Sequence, residues 1–136
     1  MFGFGATTEL IDKSKDVHKA VDKANFKSLG HAAASLRKAA SKSIERAPQG
    51  EASQPGEPPH THKRVFFRRA LRFDVDKQKQ QAVVGFMASV IGDVGAVHEF
   101  GEQRGDIDFP ERPTLGPALD ANASRLGSEW AGSIGA

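Results

Sequence analysis

Between residues 26 and 47 the apolar side chains recur three and four positions apart: Phe26, Leu29, Ala33, Leu36, Ala40, then Ser43/Ile44 and Ala47. That spacing draws a single stripe along a helix and leaves Lys27, Arg37, Lys38, Lys42 and Arg46 mostly off it. Five alanines, at 32, 33, 34, 39 and 40, favour the helix and let another element approach closely. Gly30 costs about 1 kcal/mol relative to Ala in a helix interior, so a bend is expected near it. A weaker stripe of Leu10, Ile11, Val17, Ala20, Val21 and Ala24 precedes this one and reads as a separate amphipathic helix or arm over residues 1–24. The long helix is therefore expected over 25–47, ended by Pro48, whose ring disfavours helix at the residue before it.

The next stretch is punctuated differently. Residues 48–62 carry four Pro and two Gly and almost nothing apolar. They predict a loop with nothing to bury, mobile until a partner holds it. Beyond it, Leu71, Phe73 and Val75 alternate with Arg72, Asp74 and Asp76, the pattern of a half-buried strand with its apolar face on the core. Val65–Ala70 reads equally as a helical turn or as the start of that strand. Gln81–Met87 is a second strand, joined by a hairpin over Asp76–Gln80, with Gly85 marking a bulge or a close backbone approach. Ile91–Gly95 reads as a turn, Ala96–Phe100 as a short helix stopped by Gly101, and Asp106–Phe109 as a third strand. Leu115, Ala118, Leu119, Asn122, Leu126 and Trp130 have helical spacing and predict a last helix over about 115–131. The order of elements argues for one α+β domain over 1–136: N-terminal helix or helices, a small antiparallel sheet of three to four strands in region 63–110, and a C-terminal helix and tail over 111–136.

Charge divides along the chain. Residues 1–79 hold 16 Lys/Arg against 9 Asp/Glu, and residues 80–136 hold 3 against 8, which together give the net +2. Copies packed plus face to minus face, or a basic surface turned to nucleic acid, would use such a division. The densest basic run is Lys63, Arg64, Arg68, Arg69 and Arg72, interleaved with Phe66, Phe67 and Phe73. Those residues fit a subunit interface or the wall of a DNA channel, and they also fit a small basic nucleic-acid-binding protein that neutralises phosphates and stacks Phe on bases. Phe73 belongs to the core on either reading, and Arg72 points away from it.

Catalysis and cofactor chemistry find little footing. The chain has no cysteine, which excludes disulfides, thiolate metal sites and cysteine nucleophiles. His60-x-His62 and His98-Glu99 match no zinc spacing, since HExxH would need His at 102, where Glu stands. Asp106-x-Asp108, with Asp93, Glu99, Glu102 and Glu111 nearby, would suit a divalent-metal enzyme, but outward Asp side chains on a strand explain it as well. No phosphate-binding loop and no nucleophile elbow is present. No apolar run reaches the roughly 18 residues of a membrane helix, and the first residues lack a signal-peptide pattern, so no membrane partner is expected.

Three stretches carry a resemblance when taken in order: Pro55-Gly56-Glu57-Pro58-Pro59 before the basic segment, Val97-His98-Glu99-Phe100-Gly101, and Glu111-Arg112-Pro113-Thr114-Leu115-Gly116-Pro117-Ala118-Leu119. Downstream of an N-terminal helix, this set resembles the neck and tail-component proteins of tailed bacteriophages. That family comprises the tail-completion, head–tail joining and minor tail proteins, with the virion morphogenesis proteins related to them. The resemblance spans about residues 25–131. Its most specific element pairs His98, Glu99, Phe100 and Gly101 with Arg112, Pro113, Leu115 and Pro117. The chain departs from the family at Lys63-Arg64-Val65-Phe66-Phe67, where a Gly-Leu entry is usual, and at Thr114, where an aromatic is common. The resemblance implies a virion structural protein assembled in the bacterial host cytoplasm as a homo-oligomeric ring of six. Its implied neighbours are a head-side connector or head-closure protein, a tail terminator or tail-tube protein, and genomic DNA touched non-specifically in the channel. No active site, metal or cofactor comes with it. Physically, Gly101 would stop a short helix and aim Phe100 inward, Arg112-Pro113 would set an extended entry to the last helix, and Pro117 would sit in its first turn.

Overall fold

The computed structural model describes residues 4–134, with side chains described from Ser14 to Ile134. Its organising element is helix α1, Phe4–Ser43, about 60 Å long at 1.5 Å per residue. The arm and the long helix are thus one uninterrupted rod, and the helix runs on through Gly30. Leu10 and Ile11, part of the expected arm stripe, lie outside the described side chains. Residues 14–23 are exposed, whereas Ala24, Ser28, Ala33 and Ala40 are buried beneath the rest of the chain. Phe26, expected on the buried stripe, is 40% exposed. Ser28 takes the inner place because its hydroxyl donates to the Glu129 carbonyl at 2.9 Å, while Asn25 accepts Trp130 Nε1–H at 2.8 Å.

Helix α1 stops at Ser43, before the Pro48 expected to end it. The Ser43 hydroxyl donates back to the Ala40 carbonyl at 2.7 Å, and fully buried Ile44 leaves the helix. Residues 45–47 then run beside 60–61: Thr61 N–H donates to Glu45 O at 2.9 Å and Ala47 N–H to Thr61 O at 3.3 Å. The Pro-rich loop between them has something to bury after all. Pro59 and Ser53 are buried, and Gly56 N–H donates to Glu111 O at 2.8 Å. The chain itself anchors this loop.

Helix α2, Arg64–Ala70, resolves the ambiguous stretch before the first strand and buries Phe67 and Ala70. Strands β1, Leu71–Asp76, and β2, Gln81–Phe86, form an antiparallel ribbon in which Leu71 faces Phe86, Phe73 faces Val84 and Val75 faces Ala82. Gly85 pairs in register with Arg72, so it forms no bulge, and the space a Cβ would enter is open. Two short helices come next, α3 over Ala88–Ile91 and α4 over Val94–Phe100. Strands β3, Glu102–Arg104, and β4, Ile107–Phe109, make a second antiparallel hairpin. Helix α5, Leu115–Gly127, and a final 3-10 turn, Ser128–Trp130, close the described chain.

The class is α+β, and the four strands among the described residues fall into two separate two-stranded ribbons. The core forms where α1, β1 and α5 meet. Ala40, Leu71 and Ala118 are buried there, with Leu36, Ala39, Val84, Phe86 and Leu115 packed around them. An alanine on each helix leaves room for Leu71 between them. Phe73 shares the inner ribbon face but is 40% exposed, and Leu119 of the expected last stripe is 47% exposed. The core is small and sits at one end of the ribbon, so both lie beyond its edge.

Candidate functional site

The two most specific pieces of sequence meet in space. Helix α4 ends because Gly101 adopts φ 67° and its N–H donates to Val97 O at 2.8 Å. A Cβ there would stand 3.1 Å from Phe109 O, so glycine is required on two counts. The hairpin β3–β4 then returns the chain, and Arg112 N–H donates to His98 O at 2.6 Å. This places the Glu99 carboxylate at the start of α5. One oxygen accepts Thr114 N–H at 2.8 Å, the other accepts Gly116 N–H at 2.8 Å, and both lie 3.1 Å from Leu115 N.

Thr114, at the N-cap position, makes no side-chain cap, and its buried hydroxyl has no hydrogen-bond partner among the described residues. Glu99 supplies from another helix what the cap residue does not, satisfying donors left free by the helix start and placing negative charge at its positive end. Pro117 sits in that first turn, where its missing N–H leaves no intrahelical bond unmade.

The clasp extends to the Pro-rich loop. Arg112 Nε donates to Ser53 O at 3.0 Å, beside the Gly56–Glu111 bond. On its other side, the half-buried His98 ring meets Phe67 edge-on at 5.4 Å, and Phe67 meets Phe86 at 6.1 Å. Burial, and then the Arg112 charge, hold the His98 pKa below its ordinary value. Gly95 lets α4 lie on the ribbon, for a Cβ there would be 2.6 Å from Phe86 Cβ. With Gly95, His98 and Glu99 on the inward face of this two-turn helix, Phe100 falls on the outer side. It is 75% exposed, against the inward course expected of it.

The basic segment is not one surface. Arg68 is half-buried and donates from its Nη2 to Ile44 O at 3.0 Å, just past the end of α1. Arg64 is half-buried, while Lys63, Arg69 and Arg72 are exposed. Arg72 lies opposite Gly85 on the ribbon face away from Leu71 and Phe86, as its place in the alternation requires. Phe66 and Val65 are each 57% exposed beside these cations.

The other candidates disperse. His60 lies near Glu45 at 3.7 Å, His62 is exposed, and His98 faces Phe67. Asp106 and Asp108 stand exposed on the second hairpin, and Arg104 pairs with Asp93 and with Glu102. Among the described residues no three His, Asp or Glu side chains gather into a group able to hold a metal ion. No helix of the described residues is long and apolar enough to cross a membrane.

Sequence reasoning missed strand β3, although Gly105-Asp106 between two short extended runs is a two-residue hairpin signal. It also missed Arg37, whose Nε donates to Leu71 O at 2.6 Å, and nothing in the local pattern marks that bond. Comparison with protein-family models, with curated proteins and with solved structures returned no match.

Proposed function

We propose that the protein is a structural virion protein of a tailed phage, one copy of a six-membered ring in the neck or at the top of the tail. On this reading it is no enzyme and works by binding. It contacts a head-side connector or head-closure protein on one face and a tail terminator or tail-tube protein on the other, around a channel that passes DNA.

The observation that carries the proposal is the clasp. The resemblance rests on separate short motifs, and Glu99 joins the two most specific of them through the first turn of α5. Arg112 and Glu111 bring the Pro-Gly-rich motif into the same unit. Motifs that only happened to occur in one chain would have no reason to form one bonded group. The exposed apolar side chains also favour assembly: Phe100, Val83, Ile107 and Phe66 are each more than half exposed in the single chain. The rival reading, nucleic-acid binding by residues 63–72, is weakened by the commitment of Arg68 to Ile44.

The test is deletion of the coding sequence in the phage or prophage that carries it, with complementation by the full chain. Separate heads and tails, rejoined on complementation, are expected. Normally joined particles in the deletion strain would overturn the proposal.

A further inference from the structure

Strand β1 belongs to a two-stranded ribbon, so among the described residues one of its edges has no strand beside it. Met87 N–H donates to Ala70 O at 2.8 Å, one step beyond the register of β1 with β2. Bonded and non-bonded positions alternate along an antiparallel pair. Arg72, Asp74 and Asp76 therefore bond to β2, while Leu71, Phe73 and Val75 turn their backbone groups to the open edge. Leu71 N–H is used by Phe67 O, and Arg37 Nε takes one lone pair of Leu71 O. Val75 N–H goes to its neighbour, the exposed Asp74 carboxylate, at 2.9 Å. Phe73 N–H and C=O are left without a partner among the described residues.

Two large side chains with the chemistry of a core stand uncovered on this side of the molecule. Phe73 and Phe26 are each 40% exposed. Arg37 marks the face of α1 that reaches the open edge, and Phe26 lies three helical turns before it on that face. On the outer face of β1, Arg72 and Asp74 are exposed and, among the described residues, take part in no ion pair. The strand is also its own complement. Set antiparallel to a second β1 with Phe73 opposite Phe73, Leu71 meets Val75 on the inner face. In that register Arg72 meets Asp74 on the outer face, and symmetry makes each pair twice. Strand β2 has no charged residue and offers no such match.

We propose that β1 pairs in this register with β1 of a second copy, joining two ribbons into one four-stranded sheet. Each Phe73 N–H donates to the Phe73 carbonyl of the other copy. Asp74 turns from Val75 N–H to Arg72 of the second copy. The Val75 N–H so released donates to Leu71 O of the second copy, whose carbonyl keeps a lone pair beside the Arg37 bond. The Phe73 rings become neighbours on the inner face, where Phe26 of each α1 is also covered. The same patch serves both copies, so the contact is isologous and closes on itself. It is therefore a different interface from one that builds a ring of six, and it does not rest on the ring reading.

Symmetry makes the test specific, read by sedimentation equilibrium of the full chain at low salt. Arg72→Glu alone and Asp74→Arg alone each set like charges opposite one another at two places. Each should weaken self-association by about tenfold or more. Mixed together, the two variants face each other with opposite charges at every position and should associate like the parent. The exchange of both charges in one chain, Arg72→Asp with Asp74→Arg, should do the same. As a measure independent of charge, Phe73→Cys in this cysteine-free chain should oxidise to a covalent dimer. Bonded antiparallel partners stand about 5.5 Å apart at Cα, within disulfide reach. A parent monomeric at every concentration would overturn the pairing, as would reversals that weaken association with no rescue on mixing. A six-membered parent indifferent to both reversals would overturn the pairing and leave the ring reading intact. Rescued dimers of a chain absent from virion necks would uphold the pairing and overturn the ring reading.

Discussion

Glu99 and Leu115 are sixteen residues apart, yet both carboxylate oxygens of Glu99 lie 3.1 Å from the Leu115 backbone N. The same carboxylate accepts from Thr114 and Gly116, so a single side chain fixes where α5 begins and how it lies against α4. Hydrogen bonds to a charged acceptor contribute about 1.5–3 kcal/mol. Glu99→Ala should lower the stability of the chain by about that amount. Glu99→Gln keeps one accepting oxygen but turns an amide N–H₂ toward a backbone donor, and its loss should be intermediate. Urea unfolding of the two variants beside the parent checks both the size and the order.

Two glycines should respond in opposite directions to the same substitution. A Cβ at Gly95 meets Phe86 at 2.6 Å, whereas one at Gly30 meets nothing within 4 Å. Gly95→Ala must push α4 off the ribbon and should cost about 1–3 kcal/mol. Gly30→Ala, inside a helix, should stabilise by about 0.5–1 kcal/mol. Thermal midpoints that move apart are the expected outcome. Midpoints that shift together would remove the packing argument.

His98 gives the fold a dependence on pH. Burial, with the Arg112 charge adding to it, disfavours the protonated ring, so its folded pKa lies below the ordinary 6.5. Above 6.5 the ring is neutral folded or unfolded and no stability is lost through it. As pH falls below 6.5 the unfolded chain takes up the proton first, and stability declines until the folded pKa is passed. His98→Gln should flatten that part of the profile. The comparison is the difference between parent and variant urea midpoints at pH 7.5 and 5.5, which cancels the other histidines.

The arginines of the basic segment should separate by assay. Arg68→Ala removes the donor to Ile44 O and should cost about 1–3 kcal/mol in the isolated chain. Arg69→Glu with Arg72→Glu changes two exposed side chains and should leave unfolding within about 0.5 kcal/mol of the parent. The double variant should nonetheless fail to join heads to tails in complementation. Joined particles with altered DNA ejection would put these residues on the channel wall instead.

Much of the fold was legible because it follows from periodicity. The stripe through Ala33, Ala40 and Ile44, the alternation that turns Leu71 inward and Arg72 outward, and the stripe through Ala118 and Leu126 each record the neighbour they pack against. Exposure at the edges was not legible. Phe26, Phe73 and Phe100 have the right chemistry for a core, but the core is too small to reach them, and period alone does not reveal its extent. The two motif halves of the clasp were visible as separate stretches. Their bond was not, because it joins Glu99 to backbone donors, and a backbone N–H leaves no mark in a sequence. Arg68 shows the same limit: within a run of cations it looks like its neighbours, and only the Ile44 carbonyl it meets sets it apart.

The central claim is that this chain belongs to the ring stack between head and tail. An electron cryomicroscopy reconstruction of the intact particle, with the chain traced by the 40-residue helix α1 and the Glu99 clasp, tests it most directly. The account predicts six copies around the DNA channel, between the head-side connector and the first tail ring. Purified, joined particles whose neck holds no density for this fold would contradict it.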